Sequence, residues 1–224
     1  MKSDTFRNDV LKLIFNATAI ANICDNAAAS PLTNLFVALH TADPGGSGVQ
    51  NTSECAYTGY ARVSVARTSG GWTVTTNSVS PVATIPFGAC TAGTETATCF
   101  SVGVASSGAT KILRRGYLGS RLGPATMAVS GNAITIPGLS GLAVNDRIIF
   151  AAVDGSTLPA AITAGTSYWV ISVSGDVITI STTQGGASIT IAGSGDGIAY
   201  RSTPIAISAG VTPQLGTGTV IVEE

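Results

Sequence analysis

Tyr60-Ala-Arg-Val-Ser-Val-Ala-Arg67, followed by the turn dipeptide Gly70-Gly71 and by Trp72-Thr-Val-Thr-Thr76, decides the fold class. Successive side chains of a strand point to opposite faces, so this run places Tyr60, Arg62, Ser64 and Ala66 on one face and Ala61, Val63 and Val65 on the other. A glycine pair between two such runs reverses the chain. Upstream, Leu35 to Thr41 reads as a strand, and Ala42 to Gly48, rich in Pro, Gly and Ser, as a long loop. Downstream, Ala83 to Phe87, Phe100 to Ala105 and Lys111 to Leu118 continue the pattern. Short strands at this spacing indicate a sandwich or a barrel.

One segment departs from it. Phe6, Val10, Leu13, Ile14, Ala17, Ala21 and Cys24 recur at helical spacing behind the candidate caps Ser3 and Asp4, with Arg7, Asp9, Lys12 and Asn16 on the polar side. The spacing predicts an N-terminal helix. Its stripe of Phe6, Val10, Ile14 and Ala17 must be covered, by a sheet of the same chain or by a neighbouring subunit, and forms the candidate assembly contact.

From Gly119 to Ala199 the composition shifts, with charge confined to Arg121, Asp146, Arg147, Asp154, Asp176 and Asp196. Ala133 to Ile136, Arg147 to Val153, Tyr168 to Val173, Val177 to Ser181 and Ser188 to Ala192 read as short strands joined by glycine turns such as Ser174-Gly175-Asp176. Alternation resumes at Ile205 and Ile207 and again at Val220 and Val222. The expected architecture is mainly β: a β-sandwich with an N-terminal helix, built from residues 1–118 plus 200–224, interrupted by an inserted small all-β domain at 119–199.

Composition narrows the function. The 224 residues carry 11 Lys+Arg against 12 Asp+Glu, and charged residues are only 10% of the chain. That balance builds no polybasic surface, so no nucleic-acid partner is expected. No apolar run approaches the roughly 18 residues of a membrane span, and Phe6 to Ile23 is too interleaved with polar residues to be a secretory signal. Neither a membrane partner nor export is therefore expected. A sparsely charged chain suits a surface covered by other subunits, and equally a surface of solvated Ser, Thr and Gly.

Candidates for chemistry are few. The single histidine, His40, rules out a double-histidine zinc motif; at the end of an apolar run it reads as a structural or edge-strand residue. No G-x-S-x-G elbow occurs. Gly193-Ser-Gly-Asp-Gly197 has strands on both sides where a phosphate cradle needs a helix after it, and reads as a tight turn. The acidic turns at Asp146, Asp154 and Asp176 are single and scattered, a poor calcium set. No cofactor or metal is expected.

Lys111, Arg114, Arg115 and Arg121 form a basic cluster where the insertion begins, either solvated strand ends or a contact for an acidic partner surface. Cys24, Cys55, Cys90 and Cys99 form no C-x-x-C pair and read as buried thiols, with a cross-hairpin pairing of Cys90 and Cys99 as the alternative. Trp72 and Trp169 sit in alternating runs and read as core residues rather than sugar platforms.

Leu35-Phe-Val-Ala-Leu-His-Thr-Ala-Asp-Pro-Gly45, Tyr57-Thr-Gly-Tyr-Ala-Arg62 and Ser69-Gly-Gly-Trp-Thr-Val74, in that order, resemble a family of small β proteins among the structural proteins of tailed bacteriophages. Members are variously labelled tail-fibre-like, minor tail or head-decoration proteins. The likeness continues through Phe100 to Val104, Gly108, Leu113 and Tyr117, and again from Ile205 to Val222. The inserted segment is similar to β modules of phage surface and tail proteins, through Leu142 to Arg147, Leu158-Pro159, Ala164 to Tyr168 and Ile178 to Ser181.

The resemblance implies a non-enzymatic virion component made in the host bacterial cytoplasm. Its partners would be other virion proteins and copies of itself, in a homo-oligomer. Two readings stand: a capsid-decorating or head-to-tail protein, and a tail-fibre or baseplate adhesin whose inserted domain binds a host glycan. The adhesin predicts Tyr168, Trp169 or Tyr200 at the surface, whereas the cementing role predicts them buried or at subunit contacts.

Overall fold

The computed structural model describes residues 4–20, 31–127, 130–152 and 157–222. The protein is mainly β with one N-terminal helix, in agreement with the alternation of its sequence. It divides into two compact units, Met1–Gly116 with Ile205–Glu224, and Tyr117–Pro204.

The first unit opens with α1 (Asp4–Phe15) and continues through β1 (Asn34–His40), β2 (Val63–Ala66), β3 (Trp72–Thr75), β4 (Ser78–Pro81), β5 (Ile85–Pro86), β6 (Glu95–Ala97), β7 (Cys99–Gly103) and β8 (Ile112–Tyr117). A four-stranded sheet runs in the order β2-β1-β7-β8. The apolar run Leu35 to His40 lies inside it, flanked by β2 at Leu35↔Val65 and by β7 at His40↔Cys99. Interior strands lose both faces to packing, which is why this run is nearly continuous rather than alternating.

Helix α1 buries Leu11 and Phe15, and the Phe15 ring meets the buried Trp72 edge-on at 4.9 Å. The helix expected to reach Cys24 ends at Phe15 instead. Ala17 takes a left-handed φ of 54°, and the amides of Asn16 and Thr18 both return to the Lys12 carbonyl, at 2.9 and 3.1 Å. The last carbonyls of a helix have no partner within it. Here Arg67 supplies donors from across the unit, Nε to the Ile14 carbonyl at 2.6 Å and Nη2 to that of Leu13. Ala21 and Cys24 lie outside the described residues.

A side chain in the left-handed region carries a steric cost that glycine avoids. Ala17→Gly is expected to raise stability by about 0.5–1 kcal/mol, net of glycine's extra freedom in the unfolded chain. Chemical denaturation checks this, and an unchanged or lowered midpoint would contradict the proposed helix stop.

The second unit comprises β9 (Gly119–Met127), β10 (Ser130–Gly131), β11 (Ile134–Thr135), β12 (Arg147–Ala152), β13 (Ser167–Ser174), β14 (Val177–Ser181), β15 (Ile191–Ala192) and β16 (Gly195–Ser202). Six of these close a barrel in the order β11-β14-β13-β12-β16-β9. Closure removes the exposed edges that a sparsely charged sheet would otherwise offer to other chains. Met127, Ile134, Ile148, Phe150, Tyr168, Val170, Ile178 and Ile180 fill the interior.

The glycines at 193–197 do more than form the expected tight turn. Gly193 turns the chain at φ 89°, but the strand β16 begins at Gly195. A Cβ on Gly197 would lie 2.8 Å from both the Ala151 carbonyl oxygen and Leu158 Cδ2, so close packing against β12 explains the glycine.

The chain then returns to the first unit with β17 (Ile205–Ile207), β18 (Gln214–Leu215) and β19 (Ile221–Val222), which pair antiparallel with β6, β5 and β4. Cys55, Cys90 and Cys99 are buried free thiols, so the Cys90–Cys99 bridge is not formed. Cys24 lies outside the described residues.

Candidate functional site

The most elaborate polar arrangement among the described residues lies in the first unit, where Arg62, just ahead of β2, is buried. Its side chain is 2% exposed and meets the Glu54 carboxylate with both arms, Nε to Oε1 at 2.7 Å and Nη2 to Oε2 at 2.8 Å. The same guanidinium donates to the carbonyls of Ala105 at 3.0 Å and Gly108 at 2.7 Å, to Thr110 Oγ1 at 3.1 Å and to Gln50 Oε1 at 3.3 Å. One planar fork thus ties together two loops far apart in sequence. Arginine alone offers so many fixed donors.

The partners are themselves held. The Gln50 amide nitrogen donates to the Phe36 carbonyl at 2.9 Å, and the Gln50 backbone N–H donates to the Thr110 carbonyl at 2.8 Å. The Tyr60 hydroxyl donates to Glu54 Oε1 at 2.9 Å while accepting from the Leu39 amide at 3.0 Å. Burial and the adjacent Glu54 carboxylate push the Tyr60 phenol upward, so it remains a donor.

His40, fully buried, sets Nδ1 2.9 Å from the Thr52 carbonyl and Nε2 2.8 Å from Ser101 Oγ. It stands on an interior strand rather than at an edge, with Cys99 on one side and a bridge to Glu54 on the other. Burial pushes the thiols of Cys55 and Cys99 up to about 12, with the Glu95 carboxylate adding to the effect at Cys55. Both are therefore protonated at neutral pH, and thiolate chemistry is closed to them.

This cluster is a brace. It fixes the 41–56 and 104–111 loops, whose exposed residues include Ala42, Ser47, Asn51, Ser106 and Lys111, as one surface. Of the basic cluster, Lys111 lies exposed at the edge of that surface, and Arg115 is paired with Asp43 through Nη1–Oδ2 at 2.6 Å. Arg114 is half-buried and donates to the Leu113 carbonyl at 3.0 Å. Arg121 is exposed on β9, in the second unit.

In the candidate assembly stripe, Phe6 lies within α1, Val10 and Ile14 are half-exposed, and Ala17 lies beyond the helix end. Among the described side chains of α1, Leu11 and Phe15 turn fully inward, one position round the helix from Val10 and Ile14.

In the barrel, Asp146 accepts from the Ala143 amide at 2.8 Å and from Arg201 Nη2 at 3.1 Å, and Asp176 accepts from the Leu139 amide at 3.1 Å. Both carboxylates are thus occupied in loop structure, and Asp154 lies outside the described residues. Tyr168 is buried, donating no surface. Trp169 is half-exposed on the outer face with the Arg147 guanidinium 4.5 Å from its ring centre, and so is not a core residue. Tyr200 is half-exposed against Tyr117, ring centres 5.0 Å apart.

Sequence reasoning missed Glu54, Gln50 and Thr110. The run Tyr57 to Arg62 was the available signal, but the partners it contacts lie 8 to 48 residues away from Arg62.

The family model of the podophage GP4 fiber I protein gp80 matches residues 2–121. No curated protein matches the chain. The matched span contains every member of the Arg62 brace and runs only to the first residues of β9. No helix among the described residues is long and apolar enough to cross a membrane. Because the match spans more than half of the chain, and agrees with the motif likeness to structural proteins of tailed phages, the protein belongs to the family of the podophage GP4 fiber I protein gp80, a phage structural family.

Proposed function

We propose that the chain is a non-enzymatic, fibre-associated component of a tailed-phage virion, assembling through its first unit and presenting the barrel as an accessory module. The family match over residues 2–121, which covers the first unit up to Gly116 but not its returning stretch 205–224, and leaves nearly all of the barrel outside, carries this reading. It favours the fibre over the capsid-decorating or head-to-tail role that the motifs alone leave open. Half-exposed Trp169 and Tyr200 leave room for an adhesive role of the barrel, and buried Tyr168 contributes nothing to it. Labelling of intact particles with an antibody against the barrel, viewed by electron microscopy, tests the location. Density on fibres or the baseplate supports the reading, and regular decoration of the head overturns it.

Assembly has its own test. Val10 and Ile14 keep part of their apolar surface outside the unit, while Leu11 and Phe15 anchor the helix. At about 25 cal/mol per Å² even modest burial of such side chains in a repeated contact adds several kcal/mol to an oligomer. Val10→Asp with Ile14→Asp is expected to shift the protein from oligomer to folded monomer in sedimentation, with little change in melting temperature. A monomeric wild type would remove the homo-oligomer from the proposal.

A further inference from the structure

We propose that His40, with Glu54 and Arg62, forms an acid-sensitive latch that holds the 41–58 segment closed at neutral pH and releases it as the medium turns acidic. The latch is built into the hydrogen-bond directions. A carbonyl only accepts, so the Thr52 oxygen fixes the hydrogen of His40 on Nδ1, and Nε2 accepts from the Ser101 hydroxyl. Both ring nitrogens are thus used by a neutral imidazole. A second proton on Nε2 would turn the Ser101 hydroxyl from donor to acceptor and, above all, would place a cation in a site fully closed to water, where the Arg62 charge also opposes it.

The surrounding charges do not compensate. The charged groups acting on His40 are Asp43 and Glu54 of the segment and Arg62 ahead of β2; Cys99 pairs with it from β7, Cys55 and Tyr60 lie under the influence of Glu54, and Arg115 of β8 stands on Asp43. Asp43 and Glu54 each attract an imidazolium, yet each already holds a guanidinium. Cys55, Cys99 and Tyr60 stay neutral, because burial pushes all three up. Burial dominates at His40 and holds it below its ordinary value of 6.5, Arg62 adding to this and the Thr52 bond, Glu54 and Asp43 opposing it.

The sign follows. With the closed-state value depressed, the open segment binds more protons than the closed one once the pH falls below about 6.5. The contribution of His40 to closure is complete above that pH and is lost as the pH drops toward the depressed value, by at most tenfold in the opening equilibrium per pH unit.

The segment is tied down by three backbone amides suited to report on it: Thr41 to the Ser53 carbonyl at 2.8 Å, Gln50 to Thr110 at 2.8 Å and Cys55 to Leu39 at 2.9 Å. Hydrogen exchange of these amides in the full chain, corrected for intrinsic rates between pH 7.5 and 5, should show opening that increases several-fold to tenfold per unit below about 6.5. The barrel amides of Phe150 and Ile180 should show no such change. His40→Gln should abolish the slope. A flat wild-type profile, or the same slope in His40→Gln, overturns the latch, the second outcome assigning the effect to a carboxylate. Should His40→Gln fail to fold, the nitrogen resonances of this single histidine decide the matter in the wild type. A neutral ring with hydrogen on Nδ1 persisting below pH 6 supports the latch, and titration at the ordinary value overturns it.

Discussion

Arg62→Met is expected to destabilise the first unit by about 3–5 kcal/mol, the cost typical of breaking a buried ion pair from one side. The substitution leaves the carboxylate of Glu54, 14% exposed, without its cation, and strips a donor from the carbonyls of Ala105 and Gly108 and from Thr110 and Gln50. An orphaned buried acceptor costs more than its hydrogen bond contributed, so the loss exceeds a simple count of bonds. The two tryptophans separate the units: Trp72 reports on the first and Trp169 on the barrel. Denaturant unfolding should show the Trp72 transition moving to lower concentration while the Trp169 transition stays in place.

Glu54→Leu in the Arg62→Met background should recover part of the loss, because two apolar groups of suitable size replace the pair without leaving a charge unpaired. A loss below about 1 kcal/mol for Arg62→Met would mean that the cluster is solvated and braces nothing.

How much of this was legible depends on the range of the interaction. Alternation is a property of neighbouring residues, and β14 matches the expected Val177 to Ser181. Of the run Tyr60 to Arg67, however, only Val63–Ala66 forms a strand. Arg62, just ahead of it, is buried while Ser64 and Ala66, expected on its face, are exposed, because the guanidinium is drawn in by Glu54 and the 105–110 loop. The end of α1 is different. The apolar spacing runs on to Cys24, but the helix stops where Ala17 turns left-handed and Arg67 reaches the last carbonyls, a contact 53 residues away from Ile14. Local periodicity contains no trace of Arg67.

Strand β9, missed in sequence, contains Gly119, Gly123 and Pro124, each a strand breaker by propensity. Its pairing with β16 over Gly119 to Met127 overrides them, and the register shift at Ala199/Tyr200 absorbs the irregularity. The Arg62 brace shows the same limit: sequence marked Arg62 as lying on one face of a strand, but the loops it joins become neighbours only when β1 and β7 pair.

Replacing 119–199 by a short Gly/Ser linker is expected to yield a soluble, folded first unit. The ends of the removed segment are already adjacent: Ser202 pairs with Gly119, and the Thr203 amide donates to the Leu118 carbonyl at 2.8 Å. Paired strands lie about 5 Å apart, a gap that a few flexible residues span, and a shorter loop costs less entropy to close than the 81 residues it replaces. The barrel core from Ala125 to Ala199 leaves as a whole. What remains keeps Leu11, Phe15, Leu35, Val37, Leu39, Trp72, Phe100, Val102 and Ile207, all buried in the first unit. The shortened chain should retain β circular dichroism, the buried emission of Trp72 and, on the proposed function, the oligomeric state of the full chain. Aggregation of the shortened chain, together with failure of residues 117–204 to fold when expressed alone, would show that the two units fold only together and that the barrel is no separable module.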